Sequence, residues 1–319
     1  MGRTINNLKM SRRKFIGICG GTILLSVGIG APGYIERILE LNNSTDDIKD
    51  VEYAGNEIRF IIVGDPHVKD GSISKKESDR LKKVVNFINN SDVDFAVFLG
   101  DMADNGTKEE FEITKDILTN LEKPYHVIAG NHDVRKSREM FGSYFGPMEY
   151  IKKVKGYQLI FVGIDADKDN GKETKLKWSF DFNNVDKDIP TLVFNHGPVI
   201  DPPSECVYCN WGEDILGYGK SMKVELDKFT NIIGVISGHV HYDSDQTINK
   251  TRHITINGLT TIKLADMLPI VRPSNRIGYI IVKDNKLYYK LVSYRETTNE
   301  NTNETTNENT NEITDGDVM

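Results

Sequence analysis

Arg59-Phe60-Ile61-Ile62-Val63-Gly64-Asp65-Pro66-His67 is the stretch from which the rest of this 319-residue chain can be read. Its apolar run predicts a buried strand, and the Gly64-Asp65 pair predicts the turn that ends it. The same sentence is written twice more. Phe95-Ala96-Val97-Phe98-Leu99 runs into Gly100-Asp101, and His126-Val127-Ile128-Ala129 runs into Gly130-Asn131. Between these runs the apolar period changes from strand-like to helical. Residues 75–89 place Leu81, Val84, Val85 and Ile88 on one helix face, and residues 108–121 offer Phe111, Ile113, Ile117, Leu118 and Leu121 as core candidates. Later apolar runs lie at Leu159 to Ile164, Leu192 to Phe194 and Ile232 to Ile236, the last two leading directly into His196 and into Gly238-His239-Val240-His241. Gln246 to Tyr294 alternates in hairpin fashion, with Asn257-Gly258 and Asp284-Asn285 as turn signals. Polar motifs thus fall at the carboxyl ends of buried strands, where open α/β sheets place their ligands.

Five such motifs stand in order: GDPH (64–67), GDMAD (100–104), GNHD (130–133), NHGP (195–198) and GHVH (238–241). Any one alone is weak, because a Gly-Asp pair is ordinarily a turn and a lone histidine is ordinarily structural. Together they hold five of the seven histidines of the chain (His67, His132, His196, His239, His241). Asp, Asn and His concentrated at strand ends are what a two-metal hydrolytic centre requires.

The order Asp-x-His, GD-x-x-D, GNHD, His, GH-x-H resembles the calcineurin-like metallophosphoesterase superfamily, over residues 58 to 293. The details lean toward its class III cyclic-nucleotide phosphodiesterase-like branch. Purple acid phosphatases carry an iron-binding Tyr where this chain has Asp104, and many phosphodiesterase members read His-His-Pro-Pro where this chain has Asn195-His196-Gly197-Pro198.

The resemblance implies a four-layer α/β/β/α sandwich of two mixed sheets flanked by helices; periodicity alone gives only α/β followed by β. It implies two divalent metal ions, drawn from Mn, Fe, Zn, Ni or Co, and hydrolysis of a small phosphodiester or phosphomonoester by a metal-bridging hydroxide. Asp101 is expected to bridge the ions. Asp65, His67 and His241 would complete one metal site, and Asn131, His196 and His239 the other. His132 is expected to act as general acid, with the Asp104 carboxylate on its other ring nitrogen. The alternative for His132 is transition-state hydrogen bonding alone. Asp133 reads as turn-stabilising, and Arg135 as a candidate contact to a phosphate oxygen. His126 and His253, outside the motifs, read as structural. Two other classes compete with this reading. A non-catalytic binding module on the same fold would be expected to lose a ligand or His132, and none is lost. A protein phosphatase would carry Arg where this chain has Asn105.

Composition bounds the partners. The net charge is −7, and the first 31 residues contain five Lys/Arg and no acid, so the remaining 35 basic against 47 acidic residues leave −12. An acidic body argues against nucleic acid as the main partner. Ser11-Arg12-Arg13-Lys14-Phe15-Ile16 resembles the twin-arginine export motif, and the 21 residues from Phe15 to Ile35 are uncharged. The expectation is an exported protein handled by the twin-arginine machinery; a Sec signal or plain anchor is the alternative, since the run is long enough to span a bilayer. Cys19 belongs to this segment. Cys206-Val207-Tyr208-Cys209 lacks the second pair of a zinc ribbon and reads as a disulfide or two free thiols. Tyr208 and Trp211 are candidates for contacting the leaving group. Residues 296–319 are rich in Thr, Asn and Glu, and cannot bury enough surface to fold. The expected organisation is therefore a signal or anchor over 1–35, a linker over 36–57, a catalytic domain over 58–295 and a disordered tail.

Overall fold

A computed structural model describes residues 57–71, 75–169, 172–201, 203, 213–260 and 274–295. The signal-like segment, the linker up to residue 56, Tyr208, Trp211, the Cys206–Cys209 pair and the Thr/Asn/Glu-rich tail lie outside the described residues. No helix among the described residues is long and apolar enough to cross a membrane.

Two mixed sheets carry the fold. The first is built from β1 (Ile58–Val63), β2 (Phe95–Phe98), β3 (Tyr125–Val127), β12 (Arg276–Lys283) and β13 (Lys286–Ser293), in the order β13-β12-β1-β2-β3. The second holds β4 (Glu149–Val154), β5 (Tyr157–Val162), β8 (Thr191–Asn195), β9 (Ile232–Ser237), β10 (Ser244–Ile248) and β11 (Thr251–Thr255), in the order β10-β11-β9-β8-β5-β4. β6 (Asp165–Asp169) and β7 (Lys172–Lys177) form a separate hairpin. In the first sheet β1, β2 and β3 are parallel; in the second β5, β8, β9 and β11 are parallel. Parallel neighbours bring the carboxyl ends of their strands to one edge, and that edge is where the motifs fall.

The period-2 alternation of each strand sorts its apolar residues into two cores. Ile58, Phe60 and Ile62 of β1, Phe95 and Val97 of β2, Leu159 and Phe161 of β5, and Leu192 and Phe194 of β8 share one buried cluster between the sheets. Phe161 stacks on Phe194 at 5.0 Å and Phe60 on Phe95 at 4.9 Å, with Phe60 and Phe194 edge to face at 5.6 Å. The alternate residues Ile61, Val63, Ala96 and Phe98 face α1 (Lys75–Asn89) and α2 (Lys108–Leu118), and their counterparts on the second sheet join a cluster with Tyr218, Met222 and Leu226 of α4 (Glu213–Leu226). Leu81, Val84, Val85 and Ile88, the predicted face of α1, are all buried. A third helix, α3 (Arg138–Phe145), packs Phe141 and Phe145 against Phe111 of α2.

Two local expectations are corrected. The second helix stops at Leu118 rather than Leu121, because the Asn120 side chain donates to the carbonyls of Asp116 (3.0 Å) and Ile117 (3.2 Å) and ends the ladder. Asn257-Gly258 does not close a hairpin. Gly258 instead bridges Gly64, and the turn between β10 and β11 is made by Asn249-Lys250, both with positive φ. Asp284-Asn285 does form the expected two-residue turn, between β12 and β13 with φ of 50° and 59°.

Candidate metal centre

Ten non-glycine residues among those described have positive φ. Five of them, Lys155, Asn249, Lys250, Asp284 and Asn285, lie in hairpin turns, where the left-handed region is required. The other five are Asp65, His67, Asp101, His239 and His241. Nothing in a hairpin demands their conformation, and each costs on the order of 1 kcal/mol. The strain is located where the chain leaves a buried strand and must turn a polar side chain back over the strand end.

These turns bring three donor sets together. Asp65, His67 and His241 form one; Asp101, His196 and His239 form a second; His67, Asp104 and His132 form a third, with donor atoms in each set within 4.8 Å of one another. The first two are the sets expected from the sequence. Asp101 lies between them: one carboxylate oxygen is 3.3 Å from His67 Nε2 and the other 3.4 Å from His196 Nε2. Asn131 joins the second set, its Oδ1 3.2 Å from His196 Nε2.

The sheets are stitched at this edge. His196 Nδ1 donates to the Leu99 carbonyl (2.6 Å), which leaves Nε2 facing Asp101 and His239. The His239 amide donates to the Asp65 carboxylate (3.1 Å). Asp133 fulfils the turn-stabilising expectation, since its carboxylate accepts from the amides of Ala103 (3.0 Å) and Gly130 (2.9 Å), tying the GDMAD loop to the GNHD loop. The glycines of the motifs are there for space. A Cβ on Gly130 would lie 2.1 Å from Asp101 Oδ1, and one on Gly100, whose φ is +95°, would lie 2.6 Å from His196 Nδ1.

Burial sets the charges. Asp65 is pushed up to about 7, chiefly by desolvation and partly by the neighbouring Asp101 carboxylate, with His196 opposing. Desolvation also pushes Asp133 up to about 7. His239 is pushed down to about 3 and His241 well below its ordinary value, again mainly by desolvation. Desolvation would lower His196 too, but the Asp101 carboxylate beside it raises it to about 9. His239 and His241 are thus kept neutral, whereas the carboxylates around His196 and His67 favour a proton on those two rings: His67 is raised despite its burial, by Asp101 and Asp104. Buried ring nitrogens of His67 and His241 also lack a hydrogen-bond partner. Imidazoles, buried carboxylates and one amide oxygen fit divalent transition-metal ions, whose binding would displace the protons that the carboxylates favour on His196 and His67.

His132 and Asp104 are arranged differently from expectation. His132 Nδ1 meets the Asp104 backbone carbonyl at 2.5 Å, not its carboxylate, and Nε2 accepts from the Arg135 guanidinium at 2.8 Å. Since arginine only donates, the ring is neutral with its proton on Nδ1. Desolvation, with His67 and Arg135 adding, holds it down to about 4 against the pull of Asp101. The Asp104 carboxylate instead points to His67 Nδ1 (3.2 Å) and Lys69 Nζ (3.6 Å). The cause is backbone register. His67 and Val68 donate to the carbonyls of Asp101 and Met102, and the Asp104 amide donates to Val68, so the two loops run as a short parallel pair that fixes which way Asp104 faces.

Two contributors were not read from the sequence. Lys69 beside Asp104 carried no signal there. Glu110 did: Thr107 and Glu110 form a capping box at the start of α2, and the same buried carboxylate also takes the Asn105 amide (2.8 Å) and side chain (3.0 Å), anchoring the loop after GDMAD. His126 is structural, stacked on Phe161 at 4.4 Å with Nδ1 3.0 Å from the Tyr150 hydroxyl.

Residues 58–243 match the family described as calcineurin-like phosphoesterase. Over 204 residues the chain is 29% identical to a probable glycerophosphodiester phosphodiesterase of Arcobacter nitrofigilis, covering 59% of this chain and 73% of the relative. It is 25% identical over 189 residues to a probable cyclic nucleotide phosphodiesterase of Ruthia magnifica, covering 57% of this chain and 77% of that one. Among solved structures, a dimetal phosphatase from Danio rerio is similar in fold, with a TM-score of 0.51, 14% identity, and coverage of 75% of this chain and 97% of that one.

Proposed function

The chain belongs to the calcineurin-like phosphoesterase family of metal-dependent phosphoester hydrolases, and we propose that it is a two-metal phosphodiesterase acting on a small phosphorylated substrate. The observation that carries this reading is Asp101, whose two carboxylate oxygens face the two donor sets separately. Asp65, His67 and His241 would hold one ion, Asn131, His196 and His239 the other, and Asp101 both. Two divalent cations there would supply Lewis acidity at the phosphoryl oxygens and lower the pKa of the attacking water. The diester class is supported by the names of the two relatives, a glycerophosphodiester and a cyclic nucleotide phosphodiesterase.

The remaining steps belong to the protein's own groups. His132, oriented through Nδ1 by the Asp104 carbonyl, offers Nε2 to the leaving group. Arg135 now contacts that nitrogen and transfers to a phosphate oxygen when substrate arrives. Nε2, released by Arg135 and facing the anionic phosphate, takes up a proton from solvent and delivers it to the departing alkoxide as the ester P–O bond breaks. An export role for the N-terminus is proposed on Arg12-Arg13 and the uncharged run after it. Substituting both arginines by lysine should block export of an otherwise active protein, and undiminished export in cell fractionation would point to a Sec signal or plain anchor.

The function is tested by a substrate panel on metal-reconstituted protein: linear diesters, cyclic nucleotides, monoesters and a phosphoprotein side by side. Preference for diesters is expected. Preference for monoesters or the phosphoprotein would overturn the class.

A further inference from the structure

Asp104 sits between two histidines and serves them with different atoms. Its carboxylate oxygen lies 3.2 Å from His67 Nδ1, at hydrogen-bonding distance although off the alignment of a full hydrogen bond, while its carbonyl lies 2.5 Å from His132 Nδ1. His67 in turn directs Nε2 at Asp101, 3.3 Å away. The other carboxylate oxygen of Asp104 is held by Lys69 (3.6 Å) and the Asn105 side-chain Nδ2 (3.3 Å), and Asn105 is itself clamped by Glu110. The backbone is no freer, because the Asp104 amide donates to Val68, the residue after His67.

An imidazole that binds a metal through one nitrogen needs its other N–H taken by an acceptor, which fixes both the tautomer and the ring plane. The carboxylate beside His67 Nδ1 meets that need. The carbonyl does the equivalent for His132 and depends on no side chain. We propose that Asp104 is a positioning residue for the metal site of His67, acting through its carboxylate, and that its contribution to His132 comes only from the main chain. Metal retention and proton delivery then separate at this residue: changing its side chain weakens the first and spares the second.

The inference rests on the two-metal reading, and Mn²⁺ titration of the metal-stripped full chain by calorimetry separates the two. Wild type should take up two equivalents. Asp104→Asn, which keeps shape and loses charge, should bind one equivalent about 10- to 100-fold more weakly, the usual effect of removing the partner of a metal-bound histidine. Asp104→Glu should restore most of that affinity. His132→Ala should bind both equivalents as wild type does. At saturating Mn²⁺ the dependence of turnover on leaving-group pKa should be unchanged in Asp104→Asn and steeper in His132→Ala. Unfolding of each metal-free variant controls for a general loss of structure. If Asp104→Asn cannot be prepared folded, long-range ¹H–¹⁵N spectra of Zn²⁺-loaded wild type serve instead: His67 should be protonated at Nδ1 and metal-bound at Nε2, and the opposite assignment refutes the proposal. Asp104→Asn with both affinities intact, or with the steepened leaving-group dependence of His132→Ala, would overturn it, leaving the two-metal reading in place. A wild type that binds no metal would overturn both.

Discussion

Gly130→Ala perturbs the centre without removing any donor. Gly130 does not have positive φ, so alanine is conformationally acceptable there and only space decides the outcome. The added Cβ would stand 2.1 Å from Asp101 Oδ1 and 2.3 Å from the Asp101 amide, where ordinary contact begins at 3.4 Å. The carboxylate, or the loop carrying it, must therefore retreat by about 1 Å, a misplacement that can cost roughly 10²-fold in rate. Overpacking of this kind destabilises by about 1–3 kcal/mol. The expected result is a metal-reconstituted variant with kcat/KM down about 10²-fold or more on bis(p-nitrophenyl) phosphate and less than the wild-type metal content. Gly142→Ala is the matched control: it lies in α3 with nothing within 4 Å of its Cβ, and should stabilise by about 0.5–1 kcal/mol at unchanged activity. Elemental analysis, initial rates and urea unfolding of the metal-free forms report all three effects. Full metal content and wild-type turnover in Gly130→Ala would refute the assignment of Asp101 to the centre.

Other consequences follow from the same geometry. His132→Ala should keep its metals and lose about 10²-fold or more in turnover, with a smaller loss for nitrophenol esters, whose leaving groups need little protonation. An equal loss across leaving groups would indicate an electrostatic role. The pH dependence of stability has a definite sign at His126, which desolvation holds down to about 3. The folded state keeps the ring neutral while the unfolded chain protonates it below about 6.5. Its contribution is thus fully present above that pH and is lost as pH falls toward 3, at up to about 1.4 kcal/mol per pH unit. His126→Phe, placed against Phe161, should flatten the slope of unfolding free energy of the metal-free protein between about pH 6.5 and 4. Identical slopes would contradict that burial effect.

Much of this architecture is written locally. Each apolar run that leads into a motif is a strand whose carboxyl end meets the centre, because the run is covered on both faces and the polar turn can only leave at its end. The helical face of residues 75–89 was equally legible, since Leu81, Val84, Val85 and Ile88 repeat at helical spacing. Non-local choices were not. Nothing in the late hairpins says that β12 pairs with β1 while β10 and β11 extend the other sheet. The Asn257-Gly258 pair looks like a turn, yet it passes beside the centre, where a Cβ on Gly258 would come within 2.5 Å of His241. Residue types at motif spacing gathered the donor sets but could not orient Asp104. That orientation depends on Val68 and Met102 pairing the two loops, which the spacing within either motif does not encode.

The central claim is that hydrolysis depends on two cations held around Asp101. Its most direct test is a titration of the metal-stripped full chain with Mn²⁺ while diester hydrolysis is followed. Activity should be absent without metal and should rise to a plateau at two equivalents. A plateau at one equivalent, or turnover that persists in the metal-stripped protein, would contradict the account.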